Sequence, residues 1–141
     1  MTIDRIWVSI GEMCITDTPL TIQEAQTLSE HSLYLSSVRT RLGTPINISL
    51  KSGHRPASYE RSKGRSGNSE HSTFNQRGRG AVDLVYYPEL LEELIKDTFY
   101  TRICYYPNNG FIHCDRKPTG GARQYFEASS PSAKWNLIRN I

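Results

Sequence analysis

Histidine and aspartate are the residue types in this chain best suited to chemistry, and their contexts separate them. His113 stands in FIHCD (111–115), where the two-residue period of a strand sends Phe111, His113 and Asp115 to one face and Ile112 and Cys114 to the other. An imidazole and a carboxylate therefore point the same way. Asp83 lies in the apolar run AVDLV (81–85), where burying an unpaired carboxylate would cost several kcal/mol, so it needs a cation. His71, in NSEHSTF (68–74), completes a two-histidine, one-carboxylate set with Asp83 and His113, which suits zinc with a fourth position open to water. The ordinary reading pairs Asp83 with an arginine, satisfies His113 within its strand and leaves His71 on a mobile loop. With no H-E-x-x-H or other close ligand pair, spacing alone favours that ordinary reading. His31, among polar neighbours in a helical segment, and His54, in a loop, read as solvated side chains.

These residues need elements to position them. Thr21 and Glu24 have the spacing of a capping box, and Ile22, Ala25, Leu28, Leu35, Val38 and Leu42 follow mostly at steps of three, four or seven, with Gly43 placed to end the segment. The spacing predicts one long helix over 22–42. INISL (46–50) alternates Ile46, Ile48 and Leu50 against polar residues, the period of a half-buried strand. Residues 51–79 hold Ser, Gly, Arg and Asn with few apolar side chains and read as a long exposed loop. AVDLVYY (81–87) reads as a strand, and PELLEELIKDTF (88–99) as an amphipathic helix with Pro88 at its start. TRICYY (101–106), PNNG and FIHCD make a hairpin. RQYFEA (123–128) adds a strand, and SPSAKWNLI (130–138) a helical turn packed by Trp135. The expectation is a small α+β domain, an antiparallel sheet with the long N-terminal helix packed on one face.

A chain of 141 residues has room for one core, so residues 1–141 are read as a single domain, expected to be a monomer. A net charge of +3 and a pI near 8.8 fall short of the strongly basic balance of a domain built to grip phosphates. No apolar stretch approaches the ~20 residues of a membrane span, and MTIDRIWVSIGEM lacks the charged-then-apolar pattern of a secretion signal. The expected protein is soluble, starts in the cytosol, and has neither a membrane nor a nucleic acid as partner. Cys14, Cys104 and Cys114 are odd in number and lack C-x-x-C spacing, so they read as small reduced hydrophobes.

RLGTPINISLKSGHRPASY (41–59), NSEHSTF, GRGAVDL (78–84) and GFIHCD (110–115), in that order, resemble the zinc peptidoglycan peptidases, which include D-Ala-D-Ala carboxypeptidases, D-Ala-D-Ala dipeptidases and phage endolysins. The resemblance implies that His71, Asp83 and His113 hold zinc on the sheet. It also implies that Arg55 contacts the substrate or the developing oxyanion. The spacing from His71 to Asp83 is longer than is usual there, so STFNQRGRG carries an insertion of about five residues, tolerable because lengthening a loop costs little closure entropy. Many relatives have an acid three residues before the final histidine, where this chain has Gly110. Asp115, on the face of His113, is then either the acceptor of a water proton or a group that orients an imidazole, with Glu70 the next acid to consider.

What the resemblance implies is a zinc peptidase cutting peptidoglycan stem peptides, of carboxypeptidase or endopeptidase type. As a phage-type lysis enzyme it would wait in the host cytoplasm until lysis. The missing acid at Gly110 supports a different reading, a zinc-binding protein of the same fold without catalysis. A third, a small nucleic-acid binder, would use RSKGRSGN and RGRG with Tyr59 and Phe74 as stacking platforms, against which Glu60 and Glu70 stand in the same loop.

Overall fold

A computed structural model describes residues 3–141. The helix α1 spans Ile22–Leu42, as its spacing predicts. The Thr21 side chain accepts from the Glu24 amide (3.1 Å) while the Glu24 carboxylate accepts from the Thr21 amide (2.8 Å), so two otherwise orphaned donors are satisfied reciprocally. Gly43, in the left-handed region, closes the helix. Helix α3 (Pro88–Lys96) ends earlier than its amphipathic pattern. Asp97 turns extended there, its carboxylate held by Arg41 (2.5 Å) and the Tyr34 hydroxyl (2.8 Å).

Five strands, β1 (Ala81–Val85), β2 (Arg102–Tyr106), β3 (Phe111–Asp115), β4 (Gln124–Glu127) and β5 (Asn136–Asn140), form one sheet in the order β1-β3-β2-β4-β5. The sheet is mixed rather than antiparallel throughout, because β2 and β4 run parallel. Topology explains the difference. Both edges of β3 are taken, by β1 and β2, so the chain leaving β3 reverses direction and takes the free edge of β2 instead. The C-terminal segment is strand β5, not a helical turn. It is stabilised by pairing with the open edge of β4 rather than by burial, since all five of its residues are exposed.

One face of the sheet is apolar. Val82 and Leu84 of β1, Ile103 of β2 and Ile112 and Cys114 of β3 share a buried cluster with Leu28, Leu35 and Val38 of α1 and Leu90 and Leu94 of α3. Side chains of alternate parity are left for the opposite face, which carries Asp83, His113 and Asp115.

The segment 51–79 is not the exposed loop its composition suggests. It holds helix α2 (Ala57–Ser62) and a 3-10 turn at Glu70–Ser72, and it buries Ser52, His54, Glu60, His71, Thr73 and Phe74. Its polar residues are order-forming because they are one another's partners. Glu60 pairs with Arg55 and Arg65, Arg79 forks onto Glu70, and the Ser72 hydroxyl donates to the Arg55 carbonyl (2.6 Å). INISL likewise makes only a single bridge to the sheet, Ile48 to Leu84. The expected alternation fails at Leu50, which is 87% exposed.

Two histidines read as solvated are buried. His31, on α1, donates from Nε2 to the Arg79 carbonyl (3.0 Å) and so accepts at Nδ1 from the Tyr100 hydroxyl (2.9 Å). Burial drives its pKa down to about 4, because the charged form would lose hydration that no acid replaces. His54 is 4% exposed, beside Glu24 of α1 (3.2 Å). Polar sequence neighbours misled in both cases, because each imidazole lies under other segments of the chain.

Candidate metal centre

The register places Asp83 of β1 directly across from His113 of β3. His71 reaches the same point from its 3-10 turn. The turn begins at Ser69, whose hydroxyl accepts from the His71 amide (3.2 Å). Asp83 Oδ1 lies 3.0 Å from His113 Nδ1 and 3.3 Å from His71 Nε2, and one donor atom from each of the three residues lies within 4.8 Å of the others. Tetrahedral zinc bonds of 2.0–2.1 Å separate neighbouring donors by about 3.3–3.4 Å, which both separations from Asp83 Oδ1 approach.

The proton inventory fits as well. His71 Nδ1 donates to the Gly53 carbonyl (2.8 Å), which leaves Nε2 with its lone pair toward Asp83. His113 Nε2 donates to Asp115 Oδ2 (2.9 Å), which turns Nδ1 inward. The Ser52 hydroxyl donates to Asp83 Oδ2 (2.8 Å), so Oδ1 alone faces the two imidazoles. Each candidate ligand thus has an outer partner that fixes its orientation.

Electrostatically the centre demands positive charge. Burial opposes protonation of His113, but Asp115 and Asp83 outweigh it and raise its pKa to about 9. Burial would push Asp83 up, yet His71 and His113 hold it well below the ordinary carboxylate range. A cation at Nδ1 would take the place of that imidazolium proton.

Asp115 is fully buried and fully committed. Arg102 reaches it across β2 and β3, with Nε 2.9 Å from Oδ1 and Nη2 2.6 Å from Oδ2, and the Lys117 amide donates to Oδ1 (3.1 Å). Arg102 also lies 4.8 Å from the ring centre of Trp135, whose ring is 5.2 Å from that of His113. Glu70 is committed too, since Arg79 Nη2 donates to both of its oxygens at 2.8 Å. Gly110 sits in the β2–β3 turn with φ +69°.

Arg55 lines a cleft of about 360 Å3 together with Asp83, Ser52, Asn109 and Phe111. Its guanidinium donates to Ser52 Oγ (3.2 Å) and Ser69 Oγ (3.4 Å), and Nε makes an ion pair with Glu60 at 2.9 Å without the alignment of a hydrogen bond. Glu60 is 1% exposed.

The segment between His71 and Asp83 loops outward at Asn75–Arg77 without parting its ends. The Gly80 amide donates to Thr73 Oγ1 (3.0 Å), and two successive turns close at Gln76 and Arg79. Gly80 has φ +100°, and a Cβ there would meet Phe74 at 2.7 Å and His31 at 2.9 Å, so this glycine lets the loop lie against both rings. Sequence reasoning missed Arg102, Ser52 and Glu60. Ser52 stands three residues before Arg55 in SGHR, a spacing that was visible. The Arg102 contact with Asp115 needs the strand register.

A family model described as Peptidase M15 matches residues 10–115. That is most of the chain, so the chain belongs to this family of zinc-dependent metallopeptidases. No curated protein and no solved structure matches it.

Proposed function

We propose that this member of the Peptidase M15 family hydrolyses peptide bonds in peptidoglycan stem peptides with zinc held by His71, Asp83 and His113. The observation that carries the reading is the meeting of these three residues, from a turn and two strands, at donor separations that suit one ion. When bound, zinc supplies Lewis acidity and lowers the pKa of a water toward neutrality.

The chain's own residues do the rest. Asp115 keeps the His113 proton on Nε2, the Gly53 carbonyl keeps that of His71 on Nδ1, and Ser52 holds Asp83 in one rotamer. Arg55, fixed by two serine hydroxyls and the buried Glu60, faces the cleft, where a substrate carbonyl oxygen gains negative charge. Asp115 acts here as a positioning residue, because Arg102 Nε and the Lys117 amide occupy Oδ1 while Arg102 Nη2 and His113 occupy Oδ2. A phage-type lytic role, acting on the wall from the host cytoplasm, is part of this proposal and rests on resemblance to the endolysins. No helix among the described residues is long and apolar enough to cross a membrane.

One observation favours a second reading, a zinc-binding protein without catalysis. Asp115 and Glu70, the two acids considered as proton acceptors, are both locked in ion pairs with arginines. The nucleic-acid reading loses cations to such pairs as well, since Arg65 is bound to Glu60 and Arg79 to Glu70. Mass spectrometry of muropeptides released from purified peptidoglycan, with and without a chelator, separates the readings. Chelator-sensitive release of cut stem peptides is expected, and zinc-loaded protein that releases none would establish the second reading.

A further inference from the structure

The cleft beside the centre has one wall that the mechanism above leaves unused. Residues 47–52 run along β1 but are longer than the stretch they face. The Val85 amide donates to the Asn47 carbonyl (2.9 Å), Ile48 bridges Leu84, and the Asp83 amide donates to the Ser52 carbonyl (2.8 Å). Two residues of advance on β1 are thus matched by five on the facing segment, and Ser49–Lys51 must bulge. The bulge forces two consecutive non-glycine residues, Leu50 and Lys51, to φ +53°. That left-handed region is unfavourable for a branched aliphatic side chain. Bonds from the Ser52 amide to Ser49 (2.9 Å) and from the Gly53 amide to Lys51 (3.0 Å) hold the shape.

What the bulge displays is a leucine. Leu50 is 87% exposed, the most exposed large apolar residue in the described chain, yet it lines the cleft that contains Asp83 and Arg55. Neither local preference nor core packing accounts for it. Leucine is a poor residue for this backbone, and its side chain is not part of the buried clusters. Strain that persists only because flanking bonds over-determine it is characteristic of ligand-contacting segments.

We infer that Leu50 is a specificity residue that packs against a small aliphatic side chain of the peptide substrate in this cleft. Phe111, on the same cleft, supplies a second apolar surface. Ser52, at the end of the bulge, ties its shape to Asp83 through the bond to Oδ2. The inference rests on the peptidase reading proposed above.

The test uses full-length zinc-loaded protein and the single purified muropeptide that the wild type cleaves fastest. Leu50→Asn tolerates the left-handed backbone and removes the apolar contact. It should raise KM about tenfold, the factor given by 1.4 kcal/mol of lost contact, with kcat and zinc content within twofold of wild type. Leu50→Met, which keeps an apolar side chain, should restore KM. Leu50→Gly should raise the melting temperature, because it removes backbone strain, while weakening KM as Asn does. An active wild type whose Leu50→Asn and Leu50→Gly variants keep its KM overturns this inference alone. A zinc-loaded wild type that cleaves no muropeptide overturns the peptidase reading and this inference with it.

Discussion

Asp115→Asn is the substitution whose consequences the structure defines most closely. The carboxylate has no exposed surface and four protein donors. Oδ1 accepts from Arg102 Nε and the Lys117 amide, and Oδ2 accepts from Arg102 Nη2 and His113 Nε2. An asparagine can be placed in two ways. With its oxygen toward His113, its amide nitrogen meets the Arg102 Nε–H and the Lys117 N–H, so donors face donors. With its nitrogen toward His113, it donates to Nε2 and moves the imidazole proton to Nδ1, the atom turned toward Asp83 and His71.

Either placement is costly because the Asp115 side chain is fully buried and no solvent replaces the lost partners. Breaking a buried ion pair by neutralising one partner costs about 3–5 kcal/mol of stability, and loss of an outer partner of a ligand histidine costs roughly 10- to 100-fold in metal affinity. Calorimetric unfolding of the metal-free protein should therefore show the first loss. Titration against a competing chelator should show zinc affinity lower by one to two decades in Asp115→Asn. A variant with wild-type zinc affinity and wild-type melting temperature would refute the positioning role. One that keeps zinc and fold but loses all hydrolysis would make Asp115 the proton acceptor instead.

Two further outcomes follow from neighbouring geometry. Arg55→Ala should retain zinc and lower turnover by about a hundredfold or more, as removal of an oxyanion donor does, measured by muropeptide release at saturating substrate; unaltered turnover would remove Arg55 from the chemistry. His31 should make the fold acid-sensitive. Its pKa is depressed from 6.5 to about 4 by burial, facing the Arg79 carbonyl and the Tyr100 hydroxyl with Arg116 and His71 nearby. The unfolded chain therefore binds a proton that the native state refuses. Stability is full above pH 6.5 and falls toward pH 4 at up to about 1.4 kcal/mol per pH unit, roughly 3 kcal/mol in all. Urea midpoints between pH 7 and 4 should fall more steeply for wild type than for His31→Gln, and parallel curves would disprove the assignment.

Much of the scaffold was readable in the sequence because its signals are local. Thr21, Glu24 and Gly43 set the ends of α1 through contacts within one helical turn, and the parity of FIHCD put His113 and Asp115 on one face. Spacing alone did not bring His71 to Asp83 and His113. The four ordered sequence blocks did, and the structure closes the set through the β1–β3 register and a turn anchored on Ser69. What was hidden depends on distant partners. His31 and His54 looked solvated because their immediate neighbours are polar, yet other segments cover them. Glu60 lies in a polar stretch of sequence, yet Arg55 and Arg65 on either side of it allow its burial. The parallel pairing of β2 with β4 depends on which strand edges remain free, and the bulge at Leu50 on a length mismatch with β1. A sequence period expresses neither.

The chemistry proposed for this chain depends on His71, Asp83 and His113 holding one metal ion together. Metal analysis of protein purified without added zinc tests it most directly, run beside His113→Ala and with circular dichroism to confirm that the variant is folded. About one equivalent of zinc per wild-type chain is expected, with loss of that zinc in the folded variant. Wild-type protein that carries no metal, takes up none and still cleaves muropeptides, or a His113→Ala protein that keeps its zinc, would contradict it.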